Sequence, residues 1–309
     1  MILVCGEALM DLTAEPTVDG AARYRAAPGG SPLNTAVALG RLGTPVALLA
    51  RLSTDRFGGL LRAHLAASDV QLGYAVPADE PTTLALVDVS GGTPAYSFYV
   101  QGTADWQWRN DELPGTLPAE VAAIHAGSLA LALEPGGTVL ASLLERERGR
   151  RTISLDPNVR PRLVGSRETY RRRLESWVRL ADLVKVSAED LAWVYPDEGA
   201  AAVACRWQAA GTAVVVLTDG AAGATAYSGG TGVHVPAEPV LVADTVGAGD
   251  SYAGALLDWL ARHDRLRMDR LAGIGHDELA SALAFAGRVA AITCSRPGAD
   301  PPFRAELGR

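Results

Sequence analysis

Short apolar runs alternate with helical patterns along most of the chain, and this rhythm constrains the fold more than any other feature. The predicted strands cover residues 2–5, 46–52, 124–128, 152–155, 183–186 and 213–217. Several of these runs are continuously apolar, which is typical of strands that are covered on both faces. Their spacing is that of repeated strand–helix–strand units. We therefore predict an α/β fold with a mostly parallel sheet and helices on both faces.

Two segments, residues 12–26 and 83–101, depart from this rhythm. Apolar and polar residues alternate at 83–89 and 96–100, which predicts antiparallel strands. Aromatic residues concentrate in and just after the second segment, at Tyr96, Phe98, Tyr99, Trp106 and Trp108. We predict a small separate sheet that forms a lid over the carboxyl ends of the parallel strands, where open α/β sheets bind ligands. A surface hairpin without a role is the alternative.

The charge distribution favours a small-molecule partner. The net charge is −7 and the arginines are spread along the chain, so we expect neither nucleic acid nor a membrane surface as a partner. The sequence has no apolar run of roughly 18 residues and no basic region before the first apolar run, which predicts a cytoplasmic protein. Cys5, Cys205 and Cys294 are too scattered for a disulfide framework, and we expect each to be a small buried side chain.

Lys185 is the only lysine of the chain, and its surroundings exclude two classes of site. A P-loop needs a lysine after its glycines, and a pyridoxal Schiff base needs a lysine amine, but the LVKVSAED context of Lys185 fits neither. The sequence also lacks GxSxG, and it lacks GxGxxG after the first predicted strand. Walker-type phosphate binding is therefore excluded, and hydrolase and dinucleotide dehydrogenase functions lose support.

The segment ADTVGAGDS, residues 243–251, is a glycine-rich turn that opens a predicted helix. Gly247 and Gly249 allow backbone N–H groups to approach an anion, and the helix N-terminus adds partial positive charge. Asp250 is then placed to accept a proton from a hydroxyl that attacks phosphorus. The alternative is that Asp250 merely caps the helix.

A second helix start is predicted at Ser31 and Pro32, because a hydroxyl is favoured at the N-cap and proline just inside the helix. This helix is expected to run to about residue 42, with Leu33, Val37 and Leu39 facing the core.

Together these two helix starts resemble the signatures of the ribokinase-like (PfkB) carbohydrate kinase family. Residues 244–250, DTVGAGD, resemble its carboxy-terminal signature, and residues 29–36, GGSPLNTA, resemble its amino-terminal one. The resemblance extends from Gly6 to Ala299. It implies a single ribokinase-like kinase domain over residues 1–309, with a Rossmann-like core, a lid at about 12–26 and 83–101, and ATP-dependent phosphorylation of a sugar-like alcohol.

The resemblance implies a role for each matching residue at the reacting centre. Asp250 would be the catalytic base, and the backbone of Gly247, Ala248 and Gly249 would form the anion hole. The sugar would be bound by Asp11 at the end of the first strand, Gly30, Asn34 and, from the lid, Phe98. An amide and a carboxylate supply the donors and acceptors that a polyol needs. The alternatives are a surface acid at Asp11 and an exposed helix residue at Asn34.

Residues 156–161, DPNVRP, resemble a segment of bacterial fructokinases and 2-keto-3-deoxygluconate kinases. This makes Asn158 a candidate contact to the nucleotide and Arg160 a candidate contact to the substrate, because a guanidinium suits phosphoryl charge. A solvated turn is the alternative.

The remaining matches concern ATP and its metal ion. Ser187 and Asp190 occupy the place of the family's NxxE motif, which implies a contact of Asp190 to Mg²⁺ through water, although N-capping by Ser187 is a competing explanation. Thr218, Gly220 and Gly223 match a segment that lies along ATP. The implied cofactors are ATP and Mg²⁺, and a monovalent cation such as K⁺ is left open.

The lid sequence carries a neutral Gln101, as in fructokinases, so the predicted reaction transfers the γ-phosphate of ATP to the 6-hydroxyl of D-fructose. With Arg160 as a carboxylate partner, 2-keto-3-deoxygluconate is the alternative acceptor. The intact Asp250 and its glycines argue against a catalytically inactive sugar-sensing relative. Exposed apolar lid faces predict a homodimer.

Overall fold

The computed structural model describes residues 1–18, 20–88 and 95–308. The strands are β1 Ile2–Cys5, β2 Leu9–Val18, β3 Ala21–Gly29, β4 Val46–Leu49, β5 Arg51–Ser53, β6 Val70–Gln71, β7 Val76–Ala78, β8 Leu84–Asp88, β9 Ala95–Tyr99, β10 Ala123–Gly127, β11 Thr152–Asp156, β12 Leu183–Ser187, β13 Val214–Thr218, β14 Ala224–Ser228 and β15 Thr231–Val235. The α-helices are α1 Ser31–Arg41, α2 Arg56–Ala67, α3 Ser128–Ala132, α4 Gly136–Glu147, α5 Arg167–Val178, α6 Ala188–Val194, α7 Ala200–Ala209, α8 Ala248–Arg262, α9 Met268–Ala272 and α10 His276–Cys294.

A large sheet runs through the centre of the described chain. Its strand order is β15-β14-β13-β12-β11-β10-β1-β4-β6. The pairs from β13 to β6 are parallel, whereas β14 and β15 are antiparallel additions at one edge. The predicted mostly parallel sheet is therefore confirmed. Within the described parts of the chain, no helix is both long and apolar enough to cross a membrane.

Apolar side chains cover both faces of this sheet, as the continuously apolar runs predict. Ile2 and Val4 of β1 pack into a cluster with α1, α2, α8 and α10, whereas Leu3 and Cys5 pack into a second cluster with α4, α5 and α7. Successive residues of a strand point to opposite faces. The two clusters thus form the two helix-covered layers of an α/β fold.

A smaller sheet stands apart from the large one, in the order β3-β2-β8-β9. The β2–β8 pair is parallel, and the other two pairs are antiparallel. Asp11 is in register with Ala85, and Ala85 with Phe98, so these three residues lie on one face. The predicted additional sheet is confirmed. Residues 89–94 of the second predicted lid segment lie outside the described residues.

Several sequence predictions need correction. The predicted strand 46–52 is two strands, because the chain leaves the large sheet at Ala50 and β5 pairs with β7, where the buried guanidinium of Arg51 reaches Glu80. Trp106 and Trp108 are both buried, at 2% exposure, and Trp108 packs into the second core cluster, so these two aromatic residues do not support the predicted lid. The Cys205 thiol is exposed on α7, and Cys294 is half-buried.

Two further corrections concern residues near the site. Gly30, with φ +105°, is the N-cap of α1, so Ser31 is the first helical residue rather than the cap. Only glycine adopts such a backbone conformation readily. The first strand ends at Cys5, and Asp11 lies in β2 of the smaller sheet. The helix otherwise matches its prediction, with Leu33 and Val37 buried.

Candidate active site

A cleft of about 370 Å³ opens at the carboxyl ends of the parallel strands, beneath the smaller sheet. It is lined by Glu7, Leu9, Asp11, Gly30, Ser31, Asn34, Phe98, Ser128, Leu129, Asn158, Arg160, Lys185, Glu189, Thr245, Val246, Gly247, Gly249 and Asp250. The lining comes from both sheets and from the first turns of α1 and α8. This is the edge at which open α/β sheets bind their ligands.

The glycine-rich turn before α8 is held in place by Asp244. The Asp244 carboxylate accepts hydrogen bonds from the backbone N–H of Val246 at 3.0 Å and of Gly298 at 2.8 Å. Gly247 is the N-cap of α8 with φ +74°, and a Cβ at this position would lie 2.4 Å from Cβ of Ala299. Glycine is therefore required here. The first N–H groups of a helix have no partner within the helix, so this turn can bind an anion.

The Asp250 carboxylate joins the starts of α1 and α8. Its Oδ1 accepts from the Ser31 hydroxyl at 2.7 Å, and its Oδ2 accepts from Asn34 Nδ2 at 2.8 Å. Gly247 is the N-cap and Asp250 the third residue of α8, and both carboxylate oxygens accept from α1 instead, so the interpretation of Asp250 as a helix cap is wrong. Asn34 is buried as well, at 6% exposure, which rules out an exposed helix residue at that position.

Burial raises the pKa of Asp250 above its ordinary value, while the hydrogen bonds from Asn34 and Ser31 and the charge of Lys185 act in the opposite direction. These contacts favour the ionised form, and the dry surroundings make that form a better proton acceptor than a carboxylate in water. Asp250 thus has the properties of a general base beside an anion-binding turn.

Asp11 brings the smaller sheet into the cleft. Burial raises its pKa to about 6, the Arg160 guanidinium lowers it, and the Asp250 carboxylate raises it. Asp11 therefore lies in the same cleft as Arg160 and Asp250, close enough for their charges to act on its carboxyl group. Because it lines the cleft and is half-buried, the interpretation of Asp11 as a surface acid is wrong.

The DPNVRP segment follows β11 and is ordered by its own side chains. Asp156 Oδ1 accepts from the backbone N–H of Asn158 at 3.3 Å, and Arg160 Nη1 donates to Asn158 Oδ1 at 2.7 Å. Asp156 Oδ2 accepts from Lys185 Nζ at 2.9 Å. Asn158 and Arg160 both line the cleft, so the segment is not a solvated turn.

Five predicted nucleotide or metal residues do not line this cleft: Ser187, Asp190, Thr218, Gly220 and Gly223. The Ser187 hydroxyl accepts from the backbone N–H of Asp190 at 3.0 Å, so it caps α6. Thr218 ends β13, and the two glycines lie in the turn between β13 and β14. These three residues lie at the carboxyl end of β13, which is the neighbour of β12 in the large sheet. Their contact to ATP stays a prediction.

The described residues contain no group of three or more His, Cys, Asp or Glu placed to hold a metal ion. Glu189 lines the cleft, and burial raises the pKa of the adjacent Asp190 to about 6, with the Asp156 carboxylate acting in the same direction. Mg²⁺ commonly keeps several waters and binds through substrate phosphates. An ion that arrives with a nucleotide would meet Glu189 in the cleft lining, with Asp190 next to it in the chain.

Sequence reasoning missed three functional candidates. The pattern at Ser31 predicts a cap, yet its hydroxyl donates to Asp250, and Lys185 and Glu7 line the cleft although no motif points to either of them. Glu7 is buried, and its Oε2 accepts from the backbone N–H of Ala130 at 3.0 Å. The place of each residue in the sequence could have identified it, because Glu7 follows a buried strand and Lys185 lies in one.

Comparison with known proteins agrees with this geometry. The model of the pfkB family carbohydrate kinases matches residues 1–306. A fructokinase from Rhizobium leguminosarum bv. trifolii is 37% identical over 279 residues, 90% of this chain and 85% of its own length. The solved fructokinase from Xylella fastidiosa with bound ATP is 29% identical, with a TM-score of 0.91 over 99% of this chain and 97% of that one.

A fructokinase from Vibrio cholerae O395, solved in fructose, ADP and calcium ion bound form, has a TM-score of 0.85 and 25% identity over 99% of this chain and 97% of its own. The family match spans nearly the whole chain, and both family signatures meet at Asp250. The chain therefore belongs to the pfkB family of carbohydrate kinases.

Proposed function

We propose that this carbohydrate kinase is a fructokinase, which transfers the γ-phosphoryl group of ATP to the 6-hydroxyl of D-fructose. The observation that carries the proposal is the position of Asp250, a buried carboxylate at the start of α8 within the same cleft as Asp11 and Asn34. The relatives from Rhizobium, Xylella and Vibrio named above are fructokinases.

The charges of the cleft favour a neutral acceptor. Its lining contains the acids Glu7, Asp11, Glu189 and Asp250 against two cations, Arg160 and Lys185. Arg160 is already engaged, because it donates to Asn158 and its charge acts on Asp11. An acidic keto-sugar would add its carboxylate to a cleft whose acids already outnumber its cations, and like charges in a buried site repel each other. This argues for fructose over 2-keto-3-deoxygluconate.

Each proposed group has one task in the transfer. The 6-hydroxyl loses its proton to Asp250 while its oxygen forms a bond to the γ-phosphorus, and the bond from that phosphorus to the bridging oxygen of ADP breaks. The N–H groups of Gly247, Ala248 and Gly249 stabilise the charge on the transferred group. Gly30, Asn34, Asp11 and Phe98 hold and orient the sugar.

A comparison of acceptors tests this proposal. We expect kcat/KM for D-fructose to exceed that for 2-keto-3-deoxygluconate by roughly 10²-fold, equivalent to about 2.7 kcal/mol. Ribose and adenosine complete the panel, and Asp250→Asn in the same assay controls for contaminating kinases. A preference for 2-keto-3-deoxygluconate would mean that Arg160 binds a carboxylate and that the fructokinase proposal is wrong.

We propose Mg²⁺, carried in by ATP, as the metal ion, with Asp190 acting through water and K⁺ as a candidate monovalent activator. ATP itself would extend toward Asn158, Ser187, Thr218, Gly220 and Gly223. Calorimetric titration without nucleotide should show only weak Mg²⁺ binding, since so few carboxylates converge. Submicromolar binding to the free protein would contradict this proposal. A kinase that consumes ATP works where ATP is made available, which supports a cytoplasmic location.

We further propose that residues 1–309 act as a single kinase domain whose smaller sheet closes over the sugar and excludes water. Leu12 and Leu86 are in register on the face of this sheet opposite Asp11, and the exposed Tyr24 and Tyr99 share that face by their register. A small open sheet with an apolar face is marginal alone. This supports a homodimer through paired lids.

A further inference from the structure

The single lysine of the chain lies inside the cleft. Lys185 is in β12, its side chain is 7% exposed, and its Nζ donates to Asp156 Oδ2 at 2.9 Å. Every other Lys or Arg position of the sequence is an arginine. A lysine ammonium is compact, whereas the arginine guanidinium is a wide planar group. Lys185 is therefore the one position where the chain has a lysine instead of an arginine, and this position is buried beside the proposed reacting groups.

The start of α8 is shaped to admit this ammonium. A Cβ at Gly249 would lie 3.1 Å from Lys185 Nζ, so the absence of a side chain leaves room for the lysine beside the first turn. Gly249 is also one of the residues whose N–H is proposed to bind the transferred group. The ammonium and these N–H groups thus converge on one small volume of the cleft.

Lys185 stays charged in this position. Burial lowers its pKa, but the carboxylates of Asp156, Asp250 and Asp190 more than offset this, and the pKa lies above its ordinary value. An ammonium has three N–H donors, and the bond to Asp156 accounts for one of them. Donors remain for a ligand of the cleft.

We propose that Lys185 is a catalytic residue whose Nζ contacts the phosphoryl group during its transfer from ATP to the sugar. The inference rests on the proposed function of Asp250 and the glycine turn. Lys185 gives up no proton, since the proton of the hydroxyl goes to Asp250. Its charge stabilises the oxygens of the phosphoryl group while the new bond to the sugar forms and the bond to ADP breaks. Asp156 positions the ammonium.

The competing explanation is that Lys185 only neutralises Asp156. Because the chain has one lysine, protein labelled with ¹⁵N at lysine Nζ gives one side-chain ammonium resonance. Aluminium fluoride, a mimic of the transferring phosphoryl group, is added to the protein saturated with ADP, Mg²⁺ and the best sugar of the acceptor panel. We expect this addition to move the resonance further than ADP and sugar do. A resonance that stays in place although aluminium fluoride binds would overturn the proposal.

A double variant separates charge balance from catalysis. In Lys185→Met with Asp156→Asn both members of the ion pair are removed, so neither is left buried without the other. We expect the double variant to fold with a Tm near that of the unmodified protein and to lose about 10²–10³-fold in kcat. Retention of the full kcat would show that Lys185 serves only Asp156.

Asp250→Asn, measured in parallel, distinguishes the two proposals. If the Asp250 variant is inactive while the double variant is fully active, the inference about Lys185 fails and the base assignment stands. If both variants keep full activity, the proposed reaction site itself is wrong. Should the double variant fail to fold, the resonance experiment on the unmodified protein still decides the matter.

Discussion

The two sheets of this kinase bury their residues very differently. All four residues of β1 in the large sheet are buried, whereas the first six residues of β3 in the smaller sheet are exposed. The large sheet and its helices hold Asp250 and Lys185, and the smaller sheet supplies Asp11 and Phe98. The proposed reacting groups thus belong to the well-packed region, and two of the proposed sugar contacts belong to the more exposed sheet. Elements that move in a catalytic cycle are drawn from regions of low stability.

The largest effect is expected at Asp250, in the well-packed region. Asp250→Asn removes the proton acceptor but keeps an oxygen and the side-chain volume, so ATP and sugar should still bind. We expect kcat to fall by about 10²–10⁴-fold, the usual contribution of general-base catalysis. Steady-state kinetics with a coupled ATPase assay, together with calorimetric binding of both substrates, measures this. A kcat near that of the unmodified enzyme would contradict the role of Asp250.

Asp258 is the matched control for this change. It lies two turns further along α8, roughly 12 Å away, is fully buried, and accepts hydrogen bonds from Thr44 at 2.6 Å and Arg262 at 2.9 Å. Asp258→Asn should lower the free energy of unfolding by about 1.5–3 kcal/mol, because a buried carboxylate that accepts charge-assisted hydrogen bonds from partly exposed arginines is replaced by a neutral amide. At a temperature where this variant is folded, its kcat should stay within about twofold. The two variants separate chemistry from stability on one helix.

Whether the sequence predicts a contact of this site depends on how far apart the two contacting residues lie along the chain. The turn at residues 244–250 could be predicted, because glycines and a carboxylate at fixed spacing before a helix suffice for it. The Ser31 hydroxyl could not be assigned to Asp250, because the two residues lie 219 positions apart and a hydroxyl at a helix start also predicts a cap.

The parallel sheet was predictable for a similar local reason, since continuously apolar strands reveal burial on both faces. The break in the run at residues 46–52 was not, because it depends on where the Arg51 side chain meets Glu80 after the chain has folded. Lys185 matches no lysine motif, and its place in the cleft follows from the pairing of β11 with β12, which brings it to Asp156.

The same substitution in each sheet tests the difference in packing directly. Leu48 of β4 has 0% exposure, whereas Leu86 of β8 is half-buried. Leu48→Ala should lower the free energy of unfolding by about 2–5 kcal/mol, the usual cost of truncating a buried leucine. Leu86→Ala should cost less than about 1 kcal/mol, since less apolar area leaves water on folding. Urea unfolding measures both, and equal losses would refute the contrast.

The exposed face of the smaller sheet gives a third test, this time of assembly. Tyr24 and Tyr99 are 49% and 57% exposed and share that face by the register of the strands. The double variant Tyr24→Ser with Tyr99→Ser should convert the proposed dimer to a monomer, while the free energy of unfolding of the monomer changes by less than about 0.5 kcal/mol. Light scattering measures the mass. A strictly monomeric unmodified protein would remove the dimer but not the lid.

The last test concerns the place where the two regions are linked. Glu7 follows β1 of the large sheet and Asp105 follows β9 of the smaller one, and the Asp105 carboxylate accepts from the backbone N–H of Ala8 at 2.9 Å. Burial raises the pKa of both groups to about 7, and the Asp105 carboxylate contributes to the shift at Glu7. Two buried acids at the junction therefore bind protons more tightly in the folded chain than in the unfolded one.

The sign of the resulting pH dependence follows from this difference in proton binding. Because the folded state holds more protons, stability falls as pH rises from the ordinary carboxyl range near 4 to about 7, with a slope of at most about 1.4 kcal/mol per pH unit for each proton. Glu7→Gln keeps an acceptor for the Ala130 N–H but cannot ionise, so the fall in Tm between pH 5 and pH 8 should shrink by a few degrees. Glu15→Gln on the exposed part of β2 controls for the loss of one negative charge. If the Glu7 variant shows the same fall in Tm as the unmodified protein, Glu7 does not hold a proton at the junction of the two sheets.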